Sequence, residues 1–150
     1  MMGTSDLAKE LRVPHTADRL GFIYALSRCV LAARAAGIEI IDGVQLDLQD
    51  EELLRYSCEQ GRDLGFDGKS LIHPNQVAAA NAAFAPDARE IAAARDIIAG
   101  FEEAMSLGKG VVVINGRLVE NLHVEEARRQ LALAQAIAQA QERSRALATA

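Results

Sequence analysis

The stretch Gly65-Phe66-Asp67-Gly68-Lys69-Ser70-Leu71-Ile72-His73-Pro74-Asn75-Gln76 decides how this chain is read. Two glycines lead into a short apolar run that stops at a histidine set against a proline. The run predicts a strand over roughly Gly68–His73. Pro74-Asn75-Gln76 then predicts a helix start, because proline suits a first helical turn.

Working outward, "IEIIDGVQLDL" carries three isoleucines into Asp42-Gly43, a second short buried strand with a polar exit. Between the two strands, Asp50–Leu64 reads as a helix with Leu53, Leu54, Cys58 and Leu64 on one side. Before them, Arg19–Ala36 reads as an amphipathic helix through Leu20, Ile23, Tyr24, Ser27, Val30 and Leu31, ending at Gly37 in a left-handed cap. Asp6–Leu11 predicts a short helix capped by Ser5 or Asp6 and closed by Pro14. Helices and strands that alternate over short connections predict βαβ units and a parallel sheet. Two parallel strands do not make a stable sheet alone, so the pattern calls for further strands or a larger sheet.

Downstream the pattern changes. Asp87–Leu107 reads as a helix with Ile91, Ala94, Ile98, Phe101 and Met105 three and four residues apart. "VVVINGRLVEN" reads as a two-residue hairpin, since Asn-Gly suits a type I′ turn. Val124–Ala148 reads as a final alanine-rich helix.

Bulk properties exclude several classes. The chain has 150 residues, 50% apolar and 25% charged, with a net charge of −5 and a pI near 5.2. Without a lysine and arginine patch, nucleic acid is not an expected partner. Cys29 and Cys58 have no CxxC spacing, which predicts buried reduced thiols. No apolar run approaches the roughly 18–20 residues that cross a bilayer, and the start "MMGTSDLAKEL" lacks the pattern of a signal peptide. A cytoplasmic protein with no membrane partner is expected.

In parallel α/β folds, chemistry sits at the carboxyl ends of strands. Three polar clusters lie at such places: Gly3-Thr4-Ser5-Asp6, Asp42-Gly43 and His73-Pro74. Asp6 is either a helix cap or a ligand for a hard cation such as Mg²⁺, and the amides of Thr4, Ser5 and Asp6 would face an anion placed there. Asp42 either ends a buried strand and needs a partner, or marks a surface turn. His73 either serves substrate as a proton carrier or is a hydrogen-bonded loop end. Lys69 is either exposed at a strand entrance or in contact with a carboxylate or phosphate. Glu125-Glu126 and Arg128-Arg129 read as a solvated helix face.

"GTSDLAKEL", "AARAAGIEIIDGV", "GFDGKSLIHPNQ" and "NGRLVENLHVEEARR" resemble, in that order, the carboxyl-terminal half of the citrate lyase beta subunit and malyl-CoA lyase family (HpcH/HpaI aldolase-like). That resemblance implies an α/β fold: a partial (β/α)8 TIM barrel holding the end of strand six and strands seven and eight, over residues 1–84. It implies a helix–hairpin–helix extension over 85–150 that oligomerises, as a trimer or a pair of trimers. The implied activity is Mg²⁺-dependent, aldol-type C–C cleavage or condensation of citryl-, malyl- or citramalyl-type CoA thioesters, with a small keto acid and an acyl-CoA as partners. By position, Asp6 resembles a metal ligand, and Ser5 and Asp6 a substrate-carboxylate site. Asp42 resembles a residue at the active face, while Ile72, His73 and Pro74 resemble the lining of the CoA arm. Glu120 stands where family members often carry an aspartate that acts as a general acid in a neighbouring subunit. The family's glutamate metal ligand and substrate arginines lie upstream of this stretch, so an isolated chain of this length is expected to lack catalysis without an amino-terminal half. A non-catalytic assembly module and an aldolase acting on free keto acids are the competing readings.

Overall fold

The computed structural model describes residues 1–148. The chain divides into two compact units, Met1–Phe84 and Ala85–Ala150.

The first unit is a mixed α/β layer around a short parallel ladder. Strands β1 (Ile41–Asp42) and β2 (Gly68–Lys69) pair in parallel, Ile41 opposite Gly68 and Asp42 opposite Lys69. Flanking backbone bonds extend the ladder, from Asp67 N to Ile40 O and from Ser70 N to Asp42 O, each 2.9 Å. Carbonyls alternate sides along a strand, so Ile41 O faces away from β2. It accepts from Met2 N at 2.9 Å, which places Met2 on the other edge of β1. Three chain segments therefore lie side by side.

The ladder is shorter than the sequence predicts, and the reason is local. Beyond Ser70 the amide of Ile72 donates to Gln76 Oε1 at 3.0 Å instead of to a neighbouring strand. The predicted strand over Gly68–His73 therefore ends at Lys69. Leu71 is half-buried and packs on the core, but Ile72 is 51% exposed and forms no part of a strand.

Four helices complete this unit: α1 (Thr4–Leu11), α2 (Ile23–Ala35), α3 (Glu51–Asp63) and α4 (Val77–Phe84), the last entered through a 3-10 turn at Pro74–Gln76. Asp50 caps α3 by accepting from Leu53 N at 2.8 Å, and Leu64 ends it, as the sequence predicts. Gly37 (φ 65°) takes the left-handed conformation expected after α2, and Gly65 after α3 also has a positive φ, 95°. By contrast α2 begins at Ile23, not Arg19, because Arg19 itself is left-handed with φ 55°. Phe22, Leu26, Val30, Ala33, Ile40 and Phe66 form the main core, and Leu54, Cys58, Ala80 and Ala83 a second cluster. Cys58 is fully buried as expected, whereas Cys29 is only half-buried.

In the second unit, α5 (Ala88–Ser106) starts at a capping box between Asp87 and Glu90. Strands β3 (Val112–Ile114) and β4 (Arg117–Val119) pair antiparallel. Their turn has φ 49° at Asn115 and 77° at Gly116, both positive as a type I′ turn requires. The last helix, α6 (Asn121–Ala148), begins three residues before the predicted Val124. Phe101, Val119 and Val124 form this unit's core. No helix among the described residues is long and apolar enough to cross a membrane.

Candidate functional site

Two of the three polar clusters meet in the first unit. The turn after Met2 leads into α1, whose first intrahelical bond runs from Leu7 N to Gly3 O at 2.9 Å. The amides of Thr4, Ser5 and Asp6 thus precede the helical ladder, as the first amides of any helix do. Gly3 is the N-cap, and no side chain caps the helix. The expectation that Ser5 or Asp6 caps it is not met, because both lie inside the first turn. Ser5 and Asp6 are exposed. A Cβ built on Gly3 would lie 3.4 Å from Asp6 Oδ2, so the carboxylate leans towards the amino-terminal end of α1.

Behind α1 lies a buried ion cluster. Asp42 is fully buried, and both its oxygens accept from Arg19 Nη1 at 2.7 Å. Lys69 Nζ donates to Asp42 Oδ2 at 3.0 Å and to Gly43 O at 2.8 Å. Gly43 N closes the group by donating to Asp42 Oδ1 at 2.8 Å. Asp42 therefore ends a buried strand with partners, and the surface-turn alternative fails. Two cations sharing one carboxylate leave an excess positive charge. Burial, partly opposed by Asp42, draws the Lys69 pKa below its ordinary 10.5.

Sequence reasoning missed Arg19 and took the less common reading of Lys69 as secondary. Arg19 is 3% exposed and also donates through Nε to Gln60 Oε1 at 2.6 Å. The available signal was Asp42 itself, since a carboxylate ending an apolar run requires a cation. Nothing local names a partner 23 residues upstream.

The third cluster is a loop exit. His73 precedes the 3-10 turn, and its Nδ1 accepts from Asn75 N at 3.2 Å. His73, Pro74 and Ile72 are all exposed. Glu120 belongs to the second unit, where it is exposed; its amide donates to His123 Nδ1 at 3.1 Å and its carbonyl accepts from His123 N at 3.0 Å.

The donor set limits which cofactor this chain can hold. Among the described residues no group of three or more His, Cys, Asp and Glu side chains is placed to hold a metal. Asp6 fits one position of a Mg²⁺ site, since that ion takes one or two carboxylates and keeps several waters. A cleft of about 180 Å³ between His15, Thr16, Arg19, Gln45, Asp47 and Ser57 is smaller than the roughly 300–1,000 Å³ of sites that enclose a cofactor.

Residues 1–74 match the family model described as HpcH/HpaI aldolase/citrate lyase. A (3S)-malyl-CoA thioesterase of Cereibacter sphaeroides is 56% identical over 92% of this chain and 48% of its own length. The citrate lyase subunit beta of Leuconostoc mesenteroides subsp. cremoris is 38% identical over 90% of the chain and 45% of its own length. The chain thus spans about half the length of the curated relatives it matches. Among solved structures, CitE of Mycobacterium tuberculosis in complex with magnesium, acetoacetate and coenzyme A aligns with a TM-score of 0.65 and 28% identity, over 75% of this chain and 40% of that one. The thioesterase relatives introduce a reaction, C–S cleavage, that the sequence analysis did not weigh.

Proposed function

The chain belongs, through residues 1–74, to the HpcH/HpaI aldolase/citrate lyase family, and from that premise we propose that it supplies the carboxyl-terminal part of an enzyme site acting on malyl-type CoA thioesters. Met2, β1 and β2 are the ends of barrel strands six, seven and eight, and residues 85–150 form an oligomerising extension. The observation that carries the proposal is Asp6: an exposed carboxylate on the first turn of α1, with no capping bond, inside the segment that matches the family.

Asp6 contributes one carboxylate to Mg²⁺, and the segment corresponding to the rest of the relatives' length supplies the other. When bound, Mg²⁺ supplies Lewis-acid stabilisation of negative charge on a substrate oxygen. The amides of Ser5 and Asp6 hold a substrate carboxylate, as helix amino termini do for anions. Ile72, His73 and Pro74 form the surface along which the CoA arm lies. Asp42 acts behind the site, without touching substrate. Glu120 is the proposed proton donor to a neighbouring copy, one methylene longer than aspartate.

Thioester hydrolysis is the leading reaction, supported by the 56% identical relative. Water adds to the thioester carbonyl, the C–S bond breaks, and the thiol leaves with a proton. Aldol-type C–C cleavage is the second reading, supported by the citrate lyase relative. The test places this chain behind the amino-terminal half of a family member and supplies malyl-CoA. Free thiol and malate without glyoxylate mean hydrolysis; glyoxylate with acetyl-CoA means C–C cleavage. A folded hybrid that yields neither refutes both and leaves the assembly-module reading.

A further inference from the structure

The buried ion cluster and the exposed first turn of α1 meet where Gly43 approaches Thr4. A Cβ built on Gly43 would clash with Oγ1 and Cγ2 of Thr4 and lie 2.8 Å from its Cβ. Thr4 is the first residue of α1, two positions before Asp6, and it is 2% exposed. Gly43 is fixed on both sides of this contact. Its amide donates to Asp42 Oδ1 and its carbonyl accepts from Lys69 Nζ, each at 2.8 Å. Asp42 is in turn held by Arg19.

We infer that Thr4 and Gly43 are positioning residues. The side chain of Thr4 seats α1 on the clamped Gly43 backbone, and this contact sets where Asp6 stands. The inference rests on the reading of Asp6 as a cation ligand, but the contact and its effect on α1 are measurable without that reading.

Two details show that shape, and not hydrogen bonding, does the work. Thr4 Oγ1 is buried with no hydrogen-bond partner among the described residues, so the contact with Gly43 is one of shape. Gly43 does not have a positive φ, so glycine is required there for space and not for backbone freedom. A valine at position 4 keeps the branched shape and removes a buried, unpaired polar atom, a change that is neutral to stabilising. An alanine keeps neither branch and leaves a gap under the first turn.

The test uses the full chain and Mn²⁺ alone as probe. The amide shifts of Ser5 and Asp6 are read first without metal, and the broadening of first-turn resonances by Mn²⁺ is read second. Thr4→Val is expected to match wild type in both. Thr4→Ala and Gly43→Ala are expected to move the Ser5 and Asp6 amides and to weaken Mn²⁺ broadening by about tenfold, the scale seen when a residue supporting a metal ligand is lost. The pair Thr4→Ala/Gly43→Ala is expected to recover only part of the Gly43→Ala defect, because it removes the two nearest atoms, Oγ1 and Cγ2, while the Cβ of residue 4 still lies 2.8 Å from the added one. Asp6→Asn serves as a separate arm. If it leaves Mn²⁺ broadening intact, the metal reading fails, while the amide shifts still report the seating. Should Gly43→Ala not fold, Thr4→Ala against Thr4→Val carries the comparison. First-turn amides that are the same in Thr4→Ala, Thr4→Val and wild type would overturn the inference.

Discussion

Arg19 Nη1 reaches both oxygens of Asp42 at 2.7 Å from a loop residue with a left-handed backbone, and neither side chain is more than 4% exposed. A non-glycine residue in that conformation is uncommon and costs on the order of 1 kcal/mol or more. The guanidinium of Arg19 lies against an Asp42 carboxylate that is shielded from solvent.

Removing the shared anion leaves two buried cations facing each other. Asp42→Ala is therefore expected to destabilise the first unit by about 3–5 kcal/mol, the range for breaking a buried pair from one side. Urea unfolding followed by a first-unit probe measures it. A loss below about 1 kcal/mol, as for an exposed pair, would show that the cluster is solvated.

Lys69 gives a pH dependence with a definite sign. Its folded pKa lies below 10.5 because burial disfavours the charged form. Between the folded value and 10.5 the unfolded chain binds the extra proton, so the lysine's contribution to stability rises with pH across that interval. Stability measured from neutral pH upward in wild type and Lys69→Met is expected to show this rise only in wild type. The same slope in both would place the titration elsewhere.

Gly61 sits inside α3, where alanine ordinarily gains close to 1 kcal/mol of helix propensity. Here a Cβ would lie 2.8 Å from Asp42 Oδ2, an oxygen that Lys69 holds in place. Overpacking of this kind costs roughly 1–3 kcal/mol, so the steric effect exceeds the propensity gain. Gly61→Ala is expected to lower the first unit's unfolding midpoint, and a raised midpoint would contradict the contact.

In the second unit, the hairpin depends on Gly116 at φ 77°. Gly116→Val is expected to cost about 1–2 kcal/mol, the penalty of a left-handed backbone for a residue with a Cβ. Amide exchange at Val112 and Val119, which face each other across the hairpin, should quicken. Unchanged exchange there would mean another turn type is accessible.

What was legible in the sequence follows the range of the interactions. The bounds of α3, the cap at Gly37 and the Asn115-Gly116 turn were readable because each is set by neighbours in the chain. The strand over Gly68–His73 was read too long because a side chain, Gln76, takes the amide of Ile72. Arg19 was read as a helix start because an apolar period begins beside it, whereas its conformation is tied to Asp42 and Gln60 far along the chain. The nearness of Asp6 to the Asp42 cluster was not readable. It depends on Thr4 meeting Gly43 across 39 positions (43 − 4), a contact no local pattern encodes.

The central claim is that Asp6 serves chemistry on a CoA thioester, and one comparison tests it most directly. Behind a family amino-terminal half, wild type and Asp6→Asn are assayed for malyl-CoA consumption while Mg²⁺ is titrated. The account predicts Mg²⁺-dependent turnover in wild type and a fall in kcat/KM of about 100-fold or more in Asp6→Asn, since loss of a metal ligand removes stabilisation of the transition state. Equal activity and equal Mg²⁺ dependence in the two folded proteins would contradict it.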